Sequence, residues 1–262
     1  MRNDINMNYS STLNTKHQSG YTLLELLIAG VIGLILLLGV TQIYLNASRT
    51  NNFQSSVIEV QDKGRFVLAL LEKDLQRAGW SNIDPGVDLG TLDAHIDFTA
   101  TANGTGFNGS DSITVRYESD TEDGVDAEYS CDGVLVTDGD LVINAYSITD
   151  ADGDGIGALV CNGRELIEGV ESLQLLYGVE SITGTQDGIV DGYVNAGGIG
   201  GYEELVATVR VGLLLRSTSE PLEQNNTNSY QVLDTTFAAQ DDRVLRRAFT
   251  KTILLPNKPQ AF

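Results

Sequence analysis

Residues 19–45 read SGYTLLELLIAGVIGLILLLGVTQIYL, and the architecture of the chain turns on them. Residues 26–40 carry only Leu, Ile, Val, Ala and Gly, and Ile43, Tyr44 and Leu45 extend the run past the polar pair Thr41 and Gln42. Counted from Tyr21, the run is long enough to cross a hydrocarbon layer of roughly 30 Å as a helix rising about 1.5 Å per residue. Ahead of it lies MRNDINMNYSSTLNTKHQSG, a polar stretch ending in Lys16, His17, Gln18, Ser19 and Gly20. That order resembles a signal peptide turned around, with its processing site before the apolar stretch instead of after it. Glu25 breaks the pattern. An unpaired carboxylate at the lip of a membrane span is costly, so it needs a cation. Cleavage between Gly20 and Tyr21 would create one, the new α-amine of Tyr21, which can approach the Glu25 carboxylate of a neighbouring subunit.

The remainder of the chain is of another kind. Its 262 residues are enough for one main globular domain. Sixteen Lys and Arg against 36 Asp and Glu give a net charge of -20, which repels phosphate backbones and argues against nucleic acid as a partner. Twenty-eight Gly with only four Pro suit short strands joined by tight turns. From Phe53 the positions Val57, Val60, Val67, Leu71 and Leu75, with Gly64 in register, form one apolar stripe, so the helix continues to about Ala78. Gly79, after Arg77 in the last turn, is placed to end it. Gly30, Gly33 and Gly39 each weaken a helix by about 1 kcal/mol yet permit close helix packing in lipid. Beyond Ser81 the runs 112–117, 133–136, 140–148 and 173–179 read as strands, and 205–215 and 244–255 as central strands. Residues 195–201, with four glycines, read as a flexible loop. The expected class is α+β, with a long N-terminal helix packed on a mostly antiparallel sheet. The division is a leader (1–20), an N-terminal helix (21–79, span about 21–45) and a β-rich head (80–262).

Candidate chemistry in the head is sparse. Cys131 and Cys161 fall where the span places them outside the cytoplasm, and a disulfide there would close a loop worth on the order of 3 to 4 kcal/mol. Two free buried thiols or a metal pair are the alternatives, and no His cluster supports the metal, since His17 lies in the leader and His95 stands alone. Asp150, Asp152 and Asp154 with Gly155 spell D-x-D-x-D-G, a spacing used by calcium loops. The twelfth loop position is Cys161 and not a bidentate Glu, so an EF-hand is excluded while a looser calcium-bound turn, or a plain solvated hairpin, is not. Asp187 and Asp191 form a weaker acidic turn. Neither a Ser-His-Asp order, a phosphate loop, a zinc motif nor a carboxylate pair in an apolar setting can be argued, so no catalysis and no cofactor other than calcium is expected.

The stretch SGYTLLELLIAGVIGLILLLGV resembles the class III signal of type IV pilins and type II secretion pseudopilins: Gly at the cut, an aromatic first mature residue, Glu fifth, then an apolar helix. Tyr21 stands where Phe is commonest, and the leader is longer than many. The resemblance implies cleavage after Gly20 by a membrane-embedded prepilin peptidase that also methylates Tyr21. A second resemblance, to PilW-like minor pilins, rests on three phrases. They are LNASRTNNFQSSVIEVQDKGRFVLALLEKDLQRAGW, with Gly64, Arg65, Phe66, Leu71, Asp74, Leu75, Arg77, Ala78, Gly79 and Trp80, then LIEGVESLQLLYGVE, then DRVLRRAFTKTILLPN. It implies a bacterial single-pass inner-membrane protein with a periplasmic head that moves to a pilus at the cell surface. Its partners would be major and minor pilins and the pilus assembly platform. Its role would lie in priming or capping a pilus, and so in adhesion or motility. A type II secretion pseudopilin and a membrane-tethered calcium-dependent binding protein are the competing readings.

Overall fold

The computed structural model describes residues 20–81, 96–98, 100–120, 128–180 and 189–257. The predicted leader up to Ser19, His95 and Asp187 lie outside them. Helix α1 (Leu23–Arg77) comes first. After it come β1 (Ile113–Glu118), β2 (Glu128–Tyr129), β3 (Leu135–Val136), β4 (Leu141–Thr149), β5 (Ala158–Cys161), β6 (Arg164–Glu168) and β7 (Val170–Glu180). Then follow β8 (Val190–Val194), β9 (Val206–Arg216), β10 (Tyr230–Val232), β11 (Thr235–Phe237) and β12 (Arg246–Leu254). One four-stranded sheet runs β1-β4-β5-β6, a second β12-β9-β7-β8, and β2-β3 and β10-β11 are separate hairpins. Every pairing is antiparallel. The class is α+β, as the sequence predicts.

By its contacts the chain forms two units, Met1–Thr50 and Asn51–Phe262. Within the described residues the first unit is helix with its apolar side chains exposed. Of the polar pair Thr41 and Gln42, the threonine is absorbed locally, because its hydroxyl donates to the Leu37 carbonyl at 2.8 Å and so needs no water.

In the second unit α1 buries Ser56, Val60, Gly64, Val67, Leu71, Asp74 and Leu75. The predicted stripe holds from Val60 onward, while Phe53 is exposed and Val57 only half-buried. Gly64 is there because of Phe249 on β12. A Cβ at Gly64 would lie 2.8 Å from that ring, so the ring fills the space that any larger residue would take. The helix ends at Arg77 with Gly79 at φ 75°, the left-handed residue expected of its cap.

The helix meets both sheets. Asp74 accepts from Asn144 and Tyr146 on β4, and Lys251 on β12 pairs with Glu72 at 2.5 Å. One core contains Val67, Leu71 and Leu75 from the helix, Val115, Tyr117 and Tyr146 from the first sheet, and Leu173, Leu175, Val209 and Val211 from the second. The chain turns from one sheet into the other at Gly169, whose N–H, like that of Val170, donates to the Gly157 carbonyl.

Three expectations are corrected. The run 244–255 yields an edge strand, β12, and not a central one; the central strands of its sheet are β9 and β7. Its exposure alternates from Phe249 on, with Thr250, Thr252 and Leu254 exposed and Phe249, Lys251 and Ile253 turned inward, as in a strand with one wet face. Asp191 sits in β8 rather than in an acidic turn. The glycine-rich stretch 195–201 is a loop, but a pinned one: the Asn195 side chain accepts from the Gly198 N–H, and Ile199 is buried.

Candidate functional site at the N-terminal junction

Gly20, Tyr21 and Thr22 precede α1 in non-helical conformation and are exposed. Thr22 caps the helix. Its hydroxyl oxygen accepts from the Glu25 N–H at 3.2 Å, and its own N–H donates back to Glu25 Oε2 at 3.1 Å. The Thr22 hydroxyl also lies 3.3 Å from Oε2. This reciprocal pair satisfies two backbone donors that a helix start otherwise leaves open. The sequence reading missed it, although Thr-x-x-Glu ahead of an apolar run is the signal for such a box. Glu25 therefore has a partner within its own chain before any neighbour arrives.

From Leu23 the helix carries a window of mean hydropathy 2.7 with no part of it buried. Exposed Leu, Ile and Val on every face suit a lipid or filament environment and not water. At Gly20 a Cβ would meet nothing within 4 Å. The chain itself thus places no steric demand for glycine at the predicted cleavage point.

Where α1 ends in the head, a polar cluster locks it. Asp74 Oδ2 accepts from Tyr146 Oη at 2.5 Å and from Asn144 Nδ2 at 2.6 Å, all three residues being buried. Burial, then the Asp74 charge, raises the Tyr146 hydroxyl far above its ordinary pKa. The same two causes push the neighbouring Tyr117 up to about 12. The Arg77 guanidinium stacks over the Tyr117 ring at 4.6 Å and pairs with Glu128. Asn144 also accepts the Cys131 N–H at 3.2 Å, so one amide ties the helix to the segment that carries the disulfide.

Cys131 and Cys161 are disulfide-bonded, with their Cα atoms 6.0 Å apart. The bond fastens the β2–β3 hairpin to the end of β5, which decides among the three readings of the two cysteines. The carboxylates of Asp150, Asp152 and Asp154 lie within 4.8 Å of one another. Their oxygens are engaged by the turn itself: Asp150 accepts from the Gly153 and Gly155 N–H groups at 2.8 and 3.0 Å, and Asp154 from Ile156 at 2.7 Å.

Residues 15–41 match the prokaryotic N-terminal methylation motif. Residues 139–257 match the PilW family, described as type IV pilus-assembly protein W. The second match takes in the phrases at 166–180 and 242–257 and leaves 45–80 outside. Among solved structures, a type IV-like pilin from Thermus thermophilus is similar over 76% of this chain and 97% of its own, at 14% identity and a TM-score of 0.46. No curated protein matches. By these matches the chain is similar to the PilW family over its C-terminal part and carries the prokaryotic N-terminal methylation motif at its start.

Proposed function

We propose that this pilin-like chain is cleaved between Gly20 and Tyr21 by a prepilin peptidase and methylated at Tyr21. It then joins other pilin subunits through the assembly platform to prime or cap a type IV pilus, and through the pilus serves adhesion or motility. The observation that carries this reading is the methylation motif at residues 15–41, which takes in the capped start of α1 and its exposed apolar run. The freedom of space at Gly20 supports the first step. If the chain does not require glycine there, a peptidase groove that admits no side chain does.

Assembly follows from the same few residues. Once a neighbour's new amine approaches, the Glu25 carboxylate gains an ion pair in a medium where an unpaired charge is costly. The cap contacts to Thr22 leave the carboxylate at the helix start, where that amine arrives. The match to the PilW family favours a pilus over a secretion system. The test is recovery of the chain in sheared pili. Reintroducing the gene into a strain that lacks it is expected to restore piliation and to place the chain in the filament fraction. Normal piliation without the gene, with export of a secreted substrate lost instead, would transfer the protein to the secretion class.

A further inference from the structure

Apart from the filament role, and not resting on it, we propose that the cleft between the β10–β11 hairpin and the end of the second sheet binds a neutral sugar. The cleft has a volume of about 330 Å³, at the lower end of the size range of small-molecule sites. Its floor comes from three adjacent strands: Glu171 on β7, Arg216 on β9 and Arg246 on β12. Arg216 and Arg246 are direct cross-strand partners. Glu171 falls at a bulge between Val170 and Ser172, a distortion that re-aims a side chain relative to a regular strand.

The charges on this floor cancel. Arg246 is buried, donates from Nε to Glu171 Oε2 at 2.7 Å, and forks both terminal nitrogens onto Asp242 at 2.6 Å. Arg216 Nη1 is 3.9 Å from Glu171 Oε1, and its buried Nε has no hydrogen-bond partner among the described residues. Two guanidiniums face two carboxylates, so an anion meets Glu171 and Asp242 and a cation meets the arginines. A hydroxyl both donates and accepts, and it can meet either group without adding net charge. Arg216 lines the cleft, and its Nη1, 3.9 Å from Glu171 and so beyond a hydrogen bond to it, is left as a donor for such an oxygen.

The wall supplies the other half of a sugar's chemistry. Tyr230 and Phe237 are directly opposed across the hairpin, and both line the cleft half-buried. Aromatic faces accept the C–H face of a pyranose ring, an apolar surface bordered by hydroxyls. The hairpin is held in place from beneath: Thr235 donates to Gln174 on β7 at 2.9 Å, and buried Val232 lies over Gly212, where a Cβ would come within 2.8 Å of it. A floor and a wall fixed before binding lower the ordering cost of taking a ligand.

Saturation-transfer NMR on the full chain in lipid nanodiscs, with lipids that carry no sugar headgroup, tests the proposal. The probes are glucose, galactose, mannose, N-acetylglucosamine and lactose, with gluconate as the anionic counterpart. Transfer to ring protons of at least one neutral sugar is expected, weakened about tenfold or more by Phe237→Ala and by Arg216→Gln. Melting curves identify any variant that fails to fold, and the other variant then decides. Absence of transfer to every neutral sugar overturns the proposal, as does transfer that the folded variants leave unchanged. Preference for gluconate overturns the neutral character of the site.

Discussion

The Glu25 carboxylate accepts the Thr22 N–H within its own chain, and the proposed neighbour's amine would claim the same group. Two substitutions separate these contributions. Gln keeps a capping box, because its side-chain oxygen can still accept the Thr22 N–H, whereas Ala removes it at a cost of about 1 kcal/mol. Neither supplies the negative charge. Both Glu25→Gln and Glu25→Ala are therefore expected to leave leader cleavage intact and to abolish piliation, as counted by electron microscopy of a complemented strain. A Glu25→Gln strain with wild-type pili would show that the cap alone suffices. At this scale the sequence was partly legible. Gly20, Tyr21 and Glu25 stood out because their order is unusual beside an apolar run. Asn144 and Tyr146 did not, and Asp74 entered only through the family resemblance, because their meeting depends on a helix and a strand about 70 residues apart in the chain.

Among the elements, the contact of α1 with β12 turns on one atom's worth of space. A Gly64→Val substitution would drive its side chain into the Phe249 ring and is expected to destabilise the head by about 1 to 3 kcal/mol. Phe249→Ala in the same chain should recover part of that loss, so thermal melts of the single and double variants would be non-additive. Additive losses would remove the contact from the account.

The segment before β1 is joined to β7 by Asp111, which accepts the Gly104 and Leu175 N–H groups at 2.7 Å each. Burial pushes its pKa up to about 6 from an ordinary 3.8, against those two hydrogen bonds. In the interval between these values the folded head keeps a proton that the unfolded chain has released. Stability from this group is thus fully present below about pH 4 and lost as pH rises through about 6. Asp111→Asn should accordingly cost more at pH 4.5 than at pH 7, read from melting temperatures at the two values. An equal or reversed difference would contradict the assignment.

Element types were legible where a run was long. The helix, β7 and β9 follow from periodicity and from continuous apolar stretches. The short strands β5, β6, β8, β10 and β11 were not, since three to five residues give no period to read. The edge position of β12 was misread because a run of mixed polarity at the end of a chain does not say which neighbour it lacks. The cleft beneath the β10–β11 hairpin was hidden for the same reason, its floor being assembled from Glu171, Arg216 and Arg246 on three strands.

For the molecule as a whole, two chemistries share one chain. The N-terminal half of α1 exposes an apolar surface that water does not tolerate, and the remainder closes a single core beneath two sheets and a disulfide. The proposed function would use both, one part taken into lipid and then into a fibre, the other staying folded outside the cytoplasm. The chain's net charge of -20 opposes indiscriminate association, so on the proposed function specific attraction between subunits falls to the helix and its terminal charge pair.

The central claim is the processed N-terminus, and intact mass with N-terminal sequencing tests it, on protein taken from cells with and without a prepilin peptidase. A chain that begins at methylated Tyr21 only when the peptidase is present is the predicted result. A chain that keeps its leader in both strains, or is cut after the apolar run, would contradict it.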